Sequence, residues 1–433
     1  MVNGSANVAA APGDRDATLR LIKWFSIEQV RKAKVLVVGA GAIGNEALKN
    51  LALLGVGNVY IIDKDTIELS NLTRSVLYRE SDCGQPKAQV AARALQNINP
   101  VVKARWKQGD LRFDLGRGLL RHVDVVIAGL DNVPARHELN TLCFTAGRPW
   151  IDAGIDVLDG HVCVYSPHEG ACYECYFTEE QHREIQRSCA VIASRYEQEG
   201  KLATTPTIAS IVGGVQVQEA LKLLDPGTWH DRTLVSRKFM FNGSTGDCMT
   251  VKLVRRPDCT RPHFTIDPDS VVELAGASAR ATTARELLDM TEELCRAPVS
   301  IGLNFELAVA LQPHACGDTH LILQPVEKLS REDLRCEKCG WEPERRTALV
   351  RKQVIDRALV EQYPEAVGGA RLIDLGIPPL EIMRVYRGEP LGAKPKGSRK
   401  GKAAAAAASA GDGGPMFIEL TGDLGPDLGF NEL

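Results

Sequence analysis

The stretch VLVVGAGAIGNEALKNLALLGVGNVYIID, from Val35 to Asp63, decides the fold. It opens on four apolar residues, breaks at Gly39, Gly41 and Gly44, continues with a helical pattern, and closes on a second apolar run that ends in an acid. From Asn45 to Leu54 the spacing puts Ala47, Leu48, Leu51, Ala52 and Leu54 largely on one face, and Gly55 stands where a left-handed residue can end the helix. A buried strand, a glycine turn, an amphipathic helix and a second strand make a βαβ unit.

Working outward, a second helix is expected from Pro86 to about Asn97, and HVDVVIAGLDN, ending at Asn132, reads as another buried strand. Strand and helix alternation through residue 155 predicts an α/β fold with a doubly wound, mostly parallel sheet. Past Gly170 a polar, cysteine-bearing crossover runs to about 206, too long for a typical connection. A long helix near 207–224 follows, then FMFNGS and CMTVKLVRR as paired antiparallel strands. The expected organisation is a disordered leader at 1–13, a main domain at 14–265, a small α+β unit at 266–391 with a helix near Thr283 to Cys295, a flexible linker at 392–415, and a C-terminal strand and tail at 416–433.

The 433 residues are 44% hydrophobic and 25% charged, enough for two or three domains. Lys and Arg total 52 against 55 Asp and Glu, a net charge of −3 that gives no sign of a nucleic-acid binder. The basic tract from Lys394 to Lys402 has no interleaved aromatics and runs into six alanines, so it reads as solvated linker. No run of about 20 apolar residues suggests a membrane span, and Met1 is not followed by a secretory signal pattern. The expectation is a soluble, cytoplasmic protein whose twelve cysteines are reduced and need a chemical explanation.

Gly39-Ala-Gly41-Ala-Ile-Gly44 places backbone N–H groups and a helix N-terminus where phosphate can sit. Asp63, at the end of the next strand, can bind a ribose hydroxyl. Taken alone these features suit a nicotinamide or flavin dinucleotide as well as any other nucleotide. The residues downstream favour a triphosphate: Asp63, Asp65, Ser70-Asn71-Leu-Thr-Arg74 and Gly84-Gln-Pro-Lys87 bring an Arg and a Lys from different loops toward several phosphate oxygens. Asp131 of Gly129-Leu-Asp131-Asn132 can hold Mg²⁺ beside the phosphates. The plainer reading makes Arg74 and Lys87 surface charges and Asp131 a helix cap.

With these residues in hand, the segment from Val35 to Leu223 resembles the ubiquitin-activating enzyme superfamily, which includes the sulfur-carrier adenylyltransferases of thiamine and molybdopterin biosynthesis, the ThiF and MoeB type. The resemblance covers about residues 15–263. It implies a Rossmann-like adenylation domain in which Gly39, Gly41, Gly44, Asp63, Asn71, Arg74, Lys87 and Asp131 bind MgATP. It also implies an arginine from the N-terminal segment, often contributed across a homodimer, for which Arg20 is the first candidate and Arg15 the second. The usual Arg-Tyr-x-Arg pattern is missing here.

The implied reaction is adenylation of the C-terminal carboxylate, usually of Gly, of a ubiquitin-like or sulfur-carrier protein. Ser188-Cys189-Ala-Val-Ile-Ala-Ser resembles the catalytic-cysteine segment of activating enzymes. Cys189 is therefore the expected acceptor of a thioester, from which a conjugating enzyme could take the carrier. The alternatives are a sulfur-carrier adenylyltransferase without conjugation, a nucleotide-binding scaffold, and, more distantly, a dehydrogenase.

Cys172-Tyr-Glu-Cys175 has the spacing of a tetrahedral zinc half-site. The family completes such a site beyond the long helix, where Cys259 and His263 stand in place of a second cysteine pair, with Cys248 an alternative donor. Cys336-x2-Cys339-Gly is a second half-site, with Cys316 and either His314 or His320 as expected partners, so about two Zn²⁺ per chain are expected. Cys83, Cys143, Cys163 and Cys295 read as packing residues.

Overall fold

The computed structural model describes residues 14–177, 204–259, 263–311, 316–317, 320–336, 338–341, 349–388, 415–425, 428 and 430–433. Cys189, the leader and the 392–414 tract lie outside these residues.

Eight strands form the first sheet: β1 (Lys34–Val38), β2 (Asn58–Asp63), β3 (Lys103–Gln108), β4 (Val125–Ala128), β5 (Trp150–Asp156), β6 (Asp159–Tyr165), β7 (Arg237–Phe241) and β8 (Cys248–Lys252). Their order is β3-β2-β1-β4-β5-β6-β7-β8. The pairs from β3 to β5 are parallel, and those from β5 to β8 antiparallel. The fold is thus the expected mostly parallel, doubly wound sheet with an antiparallel extension. Chain order reverses at β1, between β2 and β4, and ligands of such sheets bind outside the carboxyl ends of the strands at that crevice.

The helices that shape the crevice are α1 (Ala42–Leu54), α2 (Lys87–Ile98), α3 (Arg117–Arg121), α4 (Val133–Thr145) and α5 (Pro206–Leu224). Helix α1 ends at Gly55, which takes the left-handed conformation at φ 72°. Ala47, Leu48, Leu51 and Ala52 are fully buried in one core with the inward residues of β1, β2 and β5 and with Ile208, Val212 and Val217 of α5. A second core on the other face joins Leu36, Tyr60, Val126 and Trp150 to Leu139 and Phe144 of α4.

The second unit holds α6 (Ala284–Cys295), started by a capping box between Thr283 and Glu286. Its sheet contains β9 (Val271–Glu273), β10 (Val299–Leu311), β11 (Leu321–Pro325), β12 (Leu349–Asp356), β13 (Ile382–Arg387) and β14 (Met416–Glu419), ordered β11-β10-β13-β14-β9 with β12 also on β10. The C-terminal strand pairs with this unit, and beyond it the chain returns to the first one. Asn431 exchanges backbone hydrogen bonds with Trp106 of β3, at 2.8 and 3.0 Å, and the Phe430 ring meets Tyr60 edge-on at 5.5 Å. Arg117 and Arg121 of α3 also reach across, to the buried carboxylates of Glu381 and Glu419. Among the described residues no helix is long and apolar enough to cross a membrane.

Candidate active site and metal centres

Gly39 follows β1 with φ 92°, and a Cβ there would come within 2.5 Å of the Gly129 carbonyl oxygen. At Gly44 a Cβ would lie 2.0 Å from the Gly39 carbonyl oxygen. Backbone on both sides leaves no room to relax, so these two positions need glycine for the turn itself. Gly41 differs: nothing lies within 4 Å of a Cβ built there. It opens α1 beside empty space at the helix N-terminus, where unpaired N–H groups face outward.

Asp63 locks this turn to the end of β2. Its carboxylate accepts from Ala40 N–H at 2.7 Å and from Asp65 N–H at 2.8 Å. Burial pushes its pKa up, against the pull of nearby Lys87 and of those two N–H groups. Lys87, at the first position of α2, donates to Asp65 at 3.0 Å from a half-buried position. Asn71 is buried in a capping box, its Oδ1 accepting from Glu68 N–H at 3.0 Å. Arg74 extends from the same turn, half-buried, and donates to the Ser70 carbonyl at 2.9 Å.

Asp131 is exposed at the carboxyl end of β4. It is not the helix cap: Asn132 caps α4 by accepting from Ala135 N–H at 2.9 Å, and its amide donates to Asp131 Oδ1 at 3.0 Å. The donor types suit a nucleotide triphosphate with Mg²⁺: N–H groups at the α1 N-terminus, two cationic side chains on the segment after β2 and one exposed carboxylate after β4. Arg20 pairs with Asp14 at 2.9 Å, and Arg15 donates to the Ile98 carbonyl at 2.6 Å, so both are engaged within their own chain away from the glycine turn.

Three supporting residues carry no motif and were not expected. Asn45 donates to the Ala40 carbonyl at 2.6 Å and accepts from Leu77 N–H at 2.9 Å. The Tyr78 hydroxyl donates to the same Ala40 carbonyl at 2.7 Å, and burial raises its pKa. Arg136 fixes the loop that carries Asp131, donating to Leu130 and Ala153 carbonyls at 2.7 and 2.9 Å and to buried Asp152 at 2.8 Å. Burial opposes the Arg136 charge, but Asp152 and the other anions around it raise its pKa overall. A polar residue inside an otherwise apolar helix turn was the available signal for Asn45.

The cysteines form two clusters. Cys172 Sγ lies 3.7 Å from Cys175 Sγ and 3.8 Å from Cys259 Sγ, and Cys175 Sγ lies 3.3 Å from His263 Nε2. Tetrahedral Zn–S bonds of about 2.3 Å put two sulfurs about 3.8 Å apart, whereas a disulfide needs about 2.05 Å. These four donors therefore fit a closed structural zinc site, with exposed Cys248 outside the cluster. Cys316, Cys336 and Cys339 gather separately in the second unit. Of the remaining cysteines, Cys143 and Cys163 are buried packing residues whose thiols burial pushes up, Cys163 to about 12. Cys295 is half-buried against Met416, while Cys83 is exposed on the turn before Lys87 rather than packed in the core. Cys189 lies outside the described residues.

Comparison with known proteins agrees with this geometry. The family model described as "ThiF family" matches residues 14–261. The chain is 35% identical over 202 residues to a sulfur carrier protein adenylyltransferase of Thermus thermophilus, covering 46% of this chain and 71% of that one. It is 31% identical over 247 residues to the molybdopterin-synthase adenylyltransferase of Salmonella typhimurium, covering 57% and 93%. It is 35% identical over 229 residues to the adenylyltransferase and sulfurtransferase MOCS3 of Mus musculus, covering 52% of this chain and about half, 47%, of that relative. With its glycine turn, Asp63 anchor and four-donor cysteine cluster, the chain belongs to the ThiF family.

Proposed function

We infer that this protein uses ATP to adenylate the C-terminal carboxylate of a small ubiquitin-like or sulfur-carrier protein. The observation that carries the reading is that the Gly41 opening, Asp63 and Asp131 follow the carboxyl ends of β1, β2 and β4, with Lys87 paired to Asp65 and Arg74 on the segment after β2, in a chain whose relatives are named as adenylyltransferases. The carrier carboxylate attacks the α-phosphorus, the bridging P–O bond to the β-phosphate breaks, and pyrophosphate leaves. Both reactants are anions, so the work of the site is to align them and offset their repulsion. Lys87 and Arg74 supply positive charge, the α1 N–H groups hold phosphate oxygens, and Asp63 receives a ribose hydroxyl. Mg²⁺, held through Asp131, would neutralise phosphate charge.

The antiparallel extension offers a place for the carrier. Asp152, His161, Lys238, Met240, Met249 and Val251 share one sheet face through direct cross-strand pairing. Met240, Met249 and Val251 are 38%, 57% and 45% exposed. That apolar face leads from the Arg136–Asp152 pair, so a docked carrier could extend its C-terminus toward Asp131.

The next step of the reading is a thioester: the Cys189 thiolate attacks the acyl carbon and AMP leaves. The sequence context of Cys189 supports it. The names of the relatives support the second reading, in which the adenylate is used for sulfur transfer without conjugation. A homodimer belongs to the proposal as well, since the Arg20–Asp14 pair is exposed and solvent-screened, leaving Arg20 available to a partner's site.

The test is carrier-dependent exchange of labelled pyrophosphate into ATP. Exchange that is absent with every small Gly-ended carrier encoded beside the gene, or unchanged in Asp131→Ala, would overturn the adenylation reading. On a non-reducing gel, a carrier adduct that is lost in Cys189→Ala supports the thioester, and one that persists removes Cys189 from the mechanism.

A further inference from the structure

The second cysteine cluster belongs to no part of the adenylation site. Cys316 stands on the connection between β10 and β11, and Cys336 and Cys339 stand on the connection leading to β12. Strands β11 and β12 both pair with β10, so the sheet topology brings the two connections to one end. The three sulfurs lie within 4.8 Å of one another, with Cys316 and Cys336 at 3.9 Å. This is the spacing of two thiolates on one tetrahedral ion, and far from that of a disulfide.

The backbone around Cys336 is shaped for the same purpose. Gly340 N–H donates to the Cys336 carbonyl at 2.8 Å, and Cys336 N–H donates to the Trp341 carbonyl at 2.8 Å, closing a tight knuckle. Gly340 turns it with φ 68°. The N–H groups of Lys338 and Cys339 point at the Cys336 sulfur.

His320, expected from the sequence as a partner, is not among the donors that gather with the three sulfurs. Its Nε2 lies 3.3 Å from the Asp333 carbonyl oxygen instead. A small apolar cluster of Leu311, Val326, Leu329, Leu334 and Leu349, with Trp341 against it, underlies the knuckle.

We propose that Cys316, Cys336 and Cys339 bind a structural zinc ion that ties the β10–β11 connection to the knuckle before β12. This site is separate from the Cys172 cluster and independent of nucleotide.

The native full-length chain tests this without mutation. Cys339, Cys248 and Cys83 are all exposed, so without metal Cys339 should alkylate as fast as the other two. Zinc at the knuckle protects it at least 10-fold, and a chelator abolishes that protection, read by peptide mass spectrometry. Metal analysis should give two Zn²⁺ per chain, falling to one in Cys336→Ser/Cys339→Ser. Cobalt substitution should show a thiolate charge-transfer band that drops by roughly half in the same variant. A chain that carries one zinc while Cys339 alkylates as fast as Cys248 overturns the proposal. None of these readouts involves ATP, so failure of the adenylation reading leaves them intact.

Discussion

Asn45 Oδ1 accepts the Leu77 N–H at 2.9 Å, and this bond holds the glycine turn to the loop that bears Asn71 and Arg74. The Asn45 amide also donates to the carbonyls of Ala40 and Gly41, at 2.6 and 3.1 Å. Asn45→Ala strands a buried N–H and weakens the hold on a buried carbonyl, each worth about 1–3 kcal/mol. The expected outcome is a clear drop in Tm together with a raised KM for ATP in the exchange assay. Tyr78→Phe removes one hydroxyl donor to Ala40 and should cost about 1 kcal/mol. An Asn45→Ala protein with wild-type Tm and KM would show that the two loops are positioned independently.

The three glycines of the turn should separate into two kinds. Gly44→Ala drives a methyl group to 2.0 Å from the Gly39 carbonyl oxygen, so it should fail to fold or lose several degrees of Tm. Gly41→Ala meets nothing in the protein and should hold Tm near wild type while crowding the space proposed for phosphate. Thermal shift with and without ATP checks both: the Gly41→Ala protein should lose most of the stabilisation that ATP confers on wild type.

The Lys87–Asp65 pair at 3.0 Å pulls stability and function apart. Asp65 is about half exposed, and pairs of this kind contribute about 0–1 kcal/mol. Lys87→Ala should therefore unfold in urea within about 1 kcal/mol of wild type. In exchange assays the same protein should lose at least 10-fold in rate, because the charge it supplies is opposed to phosphate rather than needed for folding. Arg74→Ala and Asp131→Asn should behave alike, and a large stability loss in any of them would recast that residue as structural.

The βαβ core was legible because one feature determined it: the turn glycines and the 3.6-residue spacing after them allow only a strand–turn–helix. The cysteine ligands were legible for a related reason, since a two-residue gap brings Cys172 and Cys175, or Cys336 and Cys339, onto one short turn wherever it sits. What the sequence could not show is contact between distant segments. Arg136, one helical turn past Asn132, looks like a surface charge until Asp152 arrives beside it on β5. The tail was half readable: Met416 to Glu419 is a short, strand-like apolar run, but nothing in Phe430-Asn431 announces that it caps the β3 edge beside Tyr60. Cys83 was misread as packing because a cysteine between polar residues gives no periodicity from which to judge its exposure.

His161 makes stability depend on pH in a window set by its surroundings. Its ring packs on Gly154, where a Cβ would lie 2.4 Å from Cε1. Burial lowers its pKa to about 4, with Asp152 pulling the other way. In the unfolded chain the same group titrates near 6.5. Between these values the unfolded chain takes up a proton that the folded chain refuses, so this contribution to stability is lost as pH falls from about 6.5 to about 4, and changes no further below. The loss is at most about 3 kcal/mol, and less to the extent that solvent reaches the ring. Other carboxylates titrate in the lower part of this range, so the test is a difference: urea unfolding of wild type and His161→Gln at half-unit steps from about pH 4 to about pH 8. The variant's stability should fall less than wild type's across the window, and the two curves should run parallel above pH 7. Curves that stay parallel down to pH 4 would mean that His161 protonates freely in the folded protein, and that the sheet face offered to the carrier gains a charge on acidification instead of staying neutral.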